Sequence, residues 1–215
     1  MDHYSVNNLK QIKNEVYLKK KDCEIIAVSK TFQINQIKPL IDYGHKHFGE
    51  NKVQEAIDKW TNIKNEFKDL KLHMIGSLQS NKVKYVLSLF DYIHSLDSFK
   101  LAKKISDEQI KKNKRLKIFI QVNIGNETQK SGIDLLELED FYNYSVRELN
   151  LDIIGLMCIP PVEKDVIFFF KEMQKLSQKI NVKKLSMGMS SDYSEAIDHG
   201  ASFVRIGSKI FGQRS

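Results

Sequence analysis

The sequence predicts an α/β protein: a single (β/α)8 barrel of the TIM type with an extra N-terminal helix, spanning residues 1–215. Eight short apolar segments recur along the chain. Each is followed by a segment with helical periodicity or, at the end, by a stub that begins at Ser208. Strands that alternate with helices form right-handed βαβ units, and eight such units match a closed barrel better than an open sheet. The length of 215 residues, without a Pro/Gly/Ser-rich linker, suits one domain.

The predicted strands are short apolar runs, rich in β-branched residues and bounded by polar residues or glycine. They lie at residues 24–30, 45–49, 71–76, 91–95, 116–123, 151–158, 183–188 and 202–207. The sixth run is stopped by the pair Pro160-Pro161, because proline cannot continue the ladder of a central strand.

The predicted helices show apolar residues at spacings of three and four. An amphipathic helix comes first, within residues 1–22, and the others lie at 34–43, 53–67, 79–89, 98–112, 134–148, 163–180 and 192–199. The clearest is the helix over 53–67, whose apolar face includes Val53, Trp60 and Phe67. Pro39 predicts a late start or a bend in the helix over 34–43.

Composition excludes several classes of protein. Hydrophobic residues make up 41% and charged residues 28%, and no run approaches the ~20 apolar residues that span a bilayer. The N-terminal segment lacks the apolar core of a secretion signal, so we expect a cytoplasmic protein. Cys23 and Cys158 are far apart and in no C-x-x-C spacing, so neither a disulfide framework nor a metal site is predicted.

The net charge of +7 and the pI of about 9.2 could indicate a nucleic-acid partner. However, the lysines are interspersed with acidic residues, and only the runs 19–21 and 111–115 cluster. Phosphate-backbone binding needs a concentrated basic surface, so no nucleic-acid partner is expected.

The first strand ends in a lysine, Lys30, which the barrel topology places at the mouth where active sites lie. A lysine directed into a closed mouth meets little water, which lowers its pKa and favours the neutral amine that condenses with an aldehyde. The alternative is a lysine that caps the strand and reaches solvent along its apolar stem.

The last two strands run into segments that suit a phosphate group. Strand seven leads into residues 188–192, GMSSD, and strand eight into residues 205–208, RIGS. Barrels frequently bind phosphate with the loops after strands seven and eight, where glycine lets backbone N–H groups approach an anion. Each segment alone is also a common strand-to-helix turn.

Polar residues near strands two and three have two interpretations each. Glu50 and Asn51 precede the helix over 53–67, so they either cap it or contact a ligand. His73 lies within strand three and is either a hydrogen-bonded core residue or an acid or base.

Segments that match a known protein family follow one another along nearly the whole chain. They are AVSK (27–30), FGEN-x-VQE (48–55), HMIGSLQSNK (73–82), SLD (95–97), QVNIG (121–125), KSGI (130–133), GLMCIPP (155–161) and LSMGMSSD-x-x-x-AI-x-x-GA-x-x-VRIGS-x-IFG (185–212). In these segments the sequence resembles the pyridoxal phosphate homeostasis proteins, which are related to the barrel domain of alanine racemase.

The resemblance implies that the chain binds pyridoxal 5′-phosphate (PLP) as an imine on Lys30. It implies that the hydroxyl of Ser190 and backbone groups at Gly207 and Ser208 contact the phosphate, and that Arg205 faces the pyridine nitrogen. Asn51 and His73 belong to motifs that line the same mouth, without an assigned contact. Lys130, in KSGI, is implied as a second site of transient PLP contact.

An arginine beside the ring nitrogen has a chemical consequence. A permanently charged guanidinium disfavours ring protonation and weakens the cofactor as an electron sink. Racemases also place an arginine there, but they add a second acid or base from another domain or subunit, since proton exchange at Cα needs a group on each face. The chain ends at Ser215, soon after the barrel closes, so we expect no second domain.

We therefore expect a non-catalytic PLP carrier that acts in intracellular vitamin B6 homeostasis, with apo forms of PLP-dependent enzymes as its recipients. The resemblance implies a monomer. The main alternative is a PLP-dependent amino-acid racemase with His73 as its acid or base, and a basic nucleic-acid module is a third.

Overall fold

A computed structural model describes residues 3–127, 129–162 and 164–213. Eight parallel strands pair in chain order and close into a barrel, which confirms the predicted fold class. The strands are β1 (Glu24–Val28), β2 (His47–Glu50), β3 (Lys71–Met74), β4 (Tyr92–Leu96), β5 (Lys117–Gln121), β6 (Asp152–Met157), β7 (Lys184–Ser186) and β8 (Phe203–Ile206). Pairing of β8 with β1, with Arg205 opposite Ile26, completes the closure.

Helices follow the strands, and one precedes them. They are α1 (Tyr4–Lys19), α2 (Ile34–Asp42), α3 (Val53–Glu66), α4 (Val83–Leu89), α5 (Phe99–Lys112), α6 (Leu138–Asn143), α7 (Val166–Lys179), α8 (Tyr193–Asp198) and α9 (Ser208–Phe211). A 3-10 turn over Ser80–Lys82 leads into α4, and a π-helical turn over Tyr144–Glu148 extends α6. None of the helices in these described ranges is long and apolar enough to cross a membrane.

The helix predicted over 134–148 starts later than expected and for a local reason, whereas α2 starts at its predicted residue. The helix predicted over 134–148 begins at Leu138, since the carboxylate of Asp134 accepts the N–H of Leu136 in a turn (2.8 Å). The helix α2 begins at Ile34 despite Pro39, and the N–H of Gln33 donates to the side chain of Gln36 (3.1 Å). The predicted start of α7, Glu163, lies outside the described residues.

The core has two layers. The larger layer lies between strands and helices and includes the fully buried Phe48 and Trp60. The smaller layer fills the barrel interior with Ile26, Tyr92, Phe119, Met157 and Phe203. The barrel is thus a packed core with openings at its two ends.

The helix α1 ties the two ends of the chain together. The side chain of Asn8 donates to the carbonyl of Ile210 (3.1 Å), and Lys20 Nζ donates to the carbonyls of Gly200 and Ala201 (3.0 and 3.1 Å). Leu9 is fully buried in the core. The helix therefore supports the segments that flank β8.

Candidate cofactor site

A cavity of about 580 Å³ opens at the carboxyl ends of the strands. It is lined by Val28, Lys30, Asn51, Ile75, Ile159, Met189, Ser190, Ser191, Arg205, Gly207, Ser208 and Gln213. Of the residues predicted to contact PLP, the cavity is lined by all except His73 and Lys130. A larger cavity of about 860 Å³ lies at the opposite end of the barrel, but the ligand face of such barrels is the carboxyl end.

The backbone that carries Lys30 is held by the residue before it. The amide of Ser29 donates to the carbonyl of Gly49 (3.0 Å), and its hydroxyl donates to Glu50 Oε1 (2.7 Å). Lys59 Nζ donates to the carbonyl of Ser29 (2.8 Å). The first residue of the β1–α2 loop is thus bound to β2 and α3 before the lysine enters the cavity.

Glu50 anchors this arrangement from behind the strand. It is fully buried, and Oε1 accepts from Lys59 Nζ and Trp60 Nε1 (both 2.9 Å). Burial raises the pKa of this carboxyl group, while the Lys59 charge and these hydrogen bonds lower it. Glu50 neither caps α3 nor lines the cavity, whereas its neighbour Asn51 does line it.

The residue after Lys30 has a strained backbone. Thr31 has φ of +69°, a region that β-branched residues rarely adopt. Its N–H donates to Glu55 Oε1 (2.5 Å), which compensates for part of the strain. Such strain occurs most often where a structure holds a functional side chain in place.

Arg205 is buried at the base of the cavity and is held by three oxygen atoms. Its Nη1 donates to the carbonyl and the hydroxyl of Ser186 (both 2.7 Å), and its Nη2 donates to the carbonyl of Cys158 (2.8 Å). Burial lowers the pKa of Arg205, yet an arginine side chain stays protonated in proteins. A fixed positive charge therefore faces the cavity.

A hydrogen bond joins the loops after β7 and β8. The N–H of Gly207 donates to Ser190 Oγ (3.3 Å). Gly207 has φ of −115°, and a Cβ there would come no closer than 3.4 Å to Val28. The backbone conformation and the neighbouring atoms would therefore accept a small side chain at this position.

His73 lies inside the barrel and has no exposed surface. One ring nitrogen is 3.0 Å from a ring nitrogen of His47, and the other is 2.9 Å from a ring nitrogen of His94. Desolvation by burial, followed by the neighbouring His94, lowers the pKa of His73 well below its usual value. His73 belongs to a buried polar chain that sequence reasoning did not identify beyond this residue.

Lys130 is away from this cavity. Its Nζ forms an ion pair with Glu127 (2.6 Å) and lies 3.5 Å from the carbonyl oxygen of Pro160. No group of His, Cys, Asp and Glu residues in the described ranges is arranged to hold a metal ion.

Comparisons with known proteins agree with one another. The family model described as "Alanine racemase, N-terminal domain" matches residues 6–215. The pyridoxal phosphate homeostasis protein of Aquifex aeolicus is 37% identical over 200 residues, covering 89% of this chain and 87% of the relative. The protein of the same name from Escherichia coli is 34% identical over 224 residues, covering 97% and 96%.

Solved structures show the same similarity. PipY of Synechococcus elongatus with PLP bound has a TM-score of 0.87 and 31% identity, covering 97% of this chain and all of that chain. Alanine racemase from Corynebacterium glutamicum has a TM-score of 0.69 at 15% identity, covering 96% of this chain and 62% of that one. The racemase comparison shows a shared fold.

Proposed function

Because the chain belongs to the alanine racemase N-terminal domain family, and within it to the pyridoxal phosphate homeostasis proteins, we propose that it binds PLP as an imine on Lys30 and acts in intracellular vitamin B6 homeostasis. The observation that carries this proposal is the composition of the carboxyl-end cavity. An amine, a buried guanidinium and a set of hydroxyl and N–H groups all line it. PipY, at 31% identity, was solved with PLP bound.

The donor set fits PLP at its aldehyde, its phosphate and its ring nitrogen. Lys30 supplies the amine for the aldehyde, which is the chemistry the cofactor contributes when bound. Ser190, Ser208 and the backbone at Gly207 supply hydroxyl and N–H donors of the kind that bind phosphate. Arg205 can donate but not accept, so it suits an unprotonated ring nitrogen. Asn51 lines the wall between these groups.

We propose a carrier rather than an efficient catalyst. Of the described residues lining the cavity, Lys30 and Arg205 are the titratable ones. Proton exchange at Cα needs an acid or base on each face of the substrate, and an arginine is a poor proton donor. Both ring nitrogens of His73, the candidate acid or base of a racemase, are engaged inside the barrel.

The remaining parts of the proposal concern the whole protein. Residues 1–215 would form one PLP-binding domain that is monomeric and cytoplasmic and passes PLP to apo enzymes. The names of the relatives support the homeostasis role.

The proposal is tested by locating the imine. The purified protein is incubated with PLP and reduced with borohydride, and the modified lysine is identified by mass spectrometry. We expect the label on Lys30 and loss of the imine absorption band in Lys30→Ala, with residual PLP held by its phosphate. The matched control is Lys38→Ala, at an exposed lysine of α2. This variant should retain the label on Lys30 and the imine absorption band. Labelling of another lysine, Lys130 included, would contradict the proposed anchor.

The carrier function is tested by assaying racemisation and transamination of amino acids by the PLP-loaded protein. We expect rates far below the median enzyme rate of about 10 s⁻¹. Turnover near that value would contradict the carrier function and show that the protein is an enzyme.

A further inference from the structure

An unbroken relay of hydrogen bonds runs through the barrel interior and ends at Arg205. A ring nitrogen of His47 is 3.0 Å from one of His73, whose other ring nitrogen is 2.9 Å from one of His94. The Nδ1 atom of His94 is 2.8 Å from Ser186 Oγ, which accepts a hydrogen bond from Arg205 Nη1 (2.7 Å). The relay thus takes one residue from each of β2, β3, β4, β7 and β8.

The two ends of the relay open to opposite ends of the barrel. His47 lines the cavity of about 860 Å³ at the amino ends of the strands, and its Nε2 is 3.7 Å from Glu24 Oε2. Arg205 lines the cavity at the carboxyl ends. The members between them are fully buried.

Aromatic neighbours fix the orientation of the two buried imidazole rings. His73 stacks on Tyr92 with ring centroids 4.2 Å apart and planes at 11°. His94 stacks on Phe119 at 4.4 Å and 20°. Rotation of either ring would break both its stacking and its hydrogen bonds.

The chemistry of the two ends gives the relay one direction. Arginine only donates, so Ser186 Oγ accepts from Arg205 and its own proton is free to be donated to His94 Nδ1. His94 then carries its proton on Nε2 and donates to His73, and His73 donates to His47 in the same way. In this order the Nε2 proton of His47 faces the carboxylate of Glu24, which accepts. In the reverse order His47 Nε2 would carry no proton, and two acceptors, His47 Nε2 and Glu24 Oε2, would face each other.

Burial keeps the interior of the relay uncharged. Desolvation lowers the pKa of His73 and of His94 well below the usual value, and the Arg205 charge adds to the effect on His94. A neutral imidazole has one donor and one acceptor, which is what an ordered relay requires.

We propose that Ser186, His94 and His73 are positioning residues for Arg205, and that their ordered relay holds the guanidinium in the one orientation that donates to the cofactor's ring nitrogen. This inference rests on the proposed function, in which Arg205 faces that nitrogen. The two carbonyl contacts of Arg205 hold the guanidinium in place, and the contact with Ser186 Oγ couples it to the three rings.

The test compares two ligands in Ser186→Ala. One is PLP, and the other is the PLP analogue in which carbon replaces the ring nitrogen. We expect the dissociation constant for PLP to rise about threefold to tenfold, the effect of one hydrogen bond, with a shifted imine absorption band. The analogue has no ring nitrogen for Arg205 to contact. Its dissociation constant should therefore change by less than about twofold, which corresponds to the loss of no more than a weak contact.

Three variants complete the design. Ser186→Thr keeps the hydroxyl and should restore the wild-type ratio of the two affinities. Ser145→Ala removes another fully buried hydroxyl, one without a partner in the described structure, and should leave both affinities unchanged. His94→Phe keeps a ring against Phe119 but breaks the relay, and should show the same selective loss of PLP affinity as Ser186→Ala.

Each result decides the inference. Equal losses for both ligands in Ser186→Ala, or no loss for either, would overturn it, since the effect would then not pass through the ring nitrogen. A selective loss in Ser186→Ala without one in His94→Phe would also overturn the relay, because Ser186 would then act alone. Failure of the proposed function is distinguishable, since the wild-type protein itself would then form no imine on Lys30.

Discussion

A buried ion pair between Lys59 and Glu50 supports the backbone beside Lys30. Lys59 is 8% exposed and bonds Glu50, Glu55 and the carbonyl of Ser29, the residue before Lys30. Replacing Lys59 by methionine keeps the length of the side chain but leaves Glu50 as a buried carboxylate without its cation. We expect Lys59→Met to lower the free energy of unfolding by about 2 kcal/mol at pH 8.

The same variant has a pH signature. The Lys59 charge lowers the pKa of Glu50, so its removal raises that pKa further and Glu50 takes up a proton more readily. The deficit of Lys59→Met should therefore shrink as the pH falls toward 5, measured by urea denaturation. Lys38→Met removes an exposed partner of Asp42 and should leave the free energy of unfolding close to that of the wild-type protein at both pH values. A deficit independent of pH would show that Glu50 is not the group left unpaired.

At the residue scale, sequence reasoning identified groups at strand ends and, inside the barrel, His73 but not its partners. The general location of barrel active sites was enough to predict Lys30 from its position after β1, whereas the role of Arg205 was implied only by the family resemblance. His47, His94 and Ser186 belong to three different strands, and only the closed topology brings them together. One histidine within each of three successive strands was a usable signal, since polar residues at buried strand positions need partners.

At the element scale, a glycine within a strand and a glycine in a strand-to-helix connection have different structural roles. A Cβ on Gly155, in β6, would lie 2.0 Å from the carbonyl oxygen of Lys184, so the approach of β7 to β6 requires glycine. Gly207 has no such constraint. A methyl group at this position would contact Val28, which lines the cavity at the carboxyl ends of the strands.

We expect Gly207→Ala to change the free energy of unfolding by less than about 1 kcal/mol and to raise the dissociation constant for PLP about tenfold, equivalent to roughly 1.4 kcal/mol. Thermal melts and fluorescence titration measure the two quantities. Pyridoxal, which lacks the phosphate, should lose much less affinity. The contrasting variant is Gly155→Ala, which should unfold the barrel. A stable Gly207→Ala protein with unchanged PLP affinity would remove this glycine from the phosphate site.

Element boundaries were predicted where periodicity was strong and missed where side chains formed local turns. The helix α3 begins at the predicted residue, and its Val53 and Trp60 are buried as the pattern indicated. The start of α6 was predicted wrongly because an aspartate side chain can accept a hydrogen bond from a nearby backbone N–H and so delay the start of a helix. Asp134 accepts such a bond from the N–H of Leu136. Periodicity describes which face is buried and is insensitive to such bonds.

At the scale of the whole molecule, the fold buries several uncharged histidines. His45, His73 and His94 are buried, and desolvation is the largest cause of the lowered pKa of each; for His45 the pKa falls to about 3. The unfolded chain binds protons at these residues near pH 6.5, while the folded chain does not. Their contribution to stability is therefore fully present above pH 6.5 and is lost as the pH falls below it.

We expect this loss to govern the acid stability of the protein. Each buried histidine contributes a slope of up to about 1.4 kcal/mol per pH unit, and the raised pKa of Glu50 acts in the opposite direction above pH 4.5. The free energy of unfolding should thus fall by about 2 kcal/mol between pH 6.5 and 5.5, as measured by guanidinium denaturation. His94→Phe removes one of the three groups and should show a shallower fall over the same interval. Equal stability of the wild-type protein at both pH values would mean that these rings take up protons in the folded state. The relay to Arg205 would then not be neutral and ordered at pH 5.5.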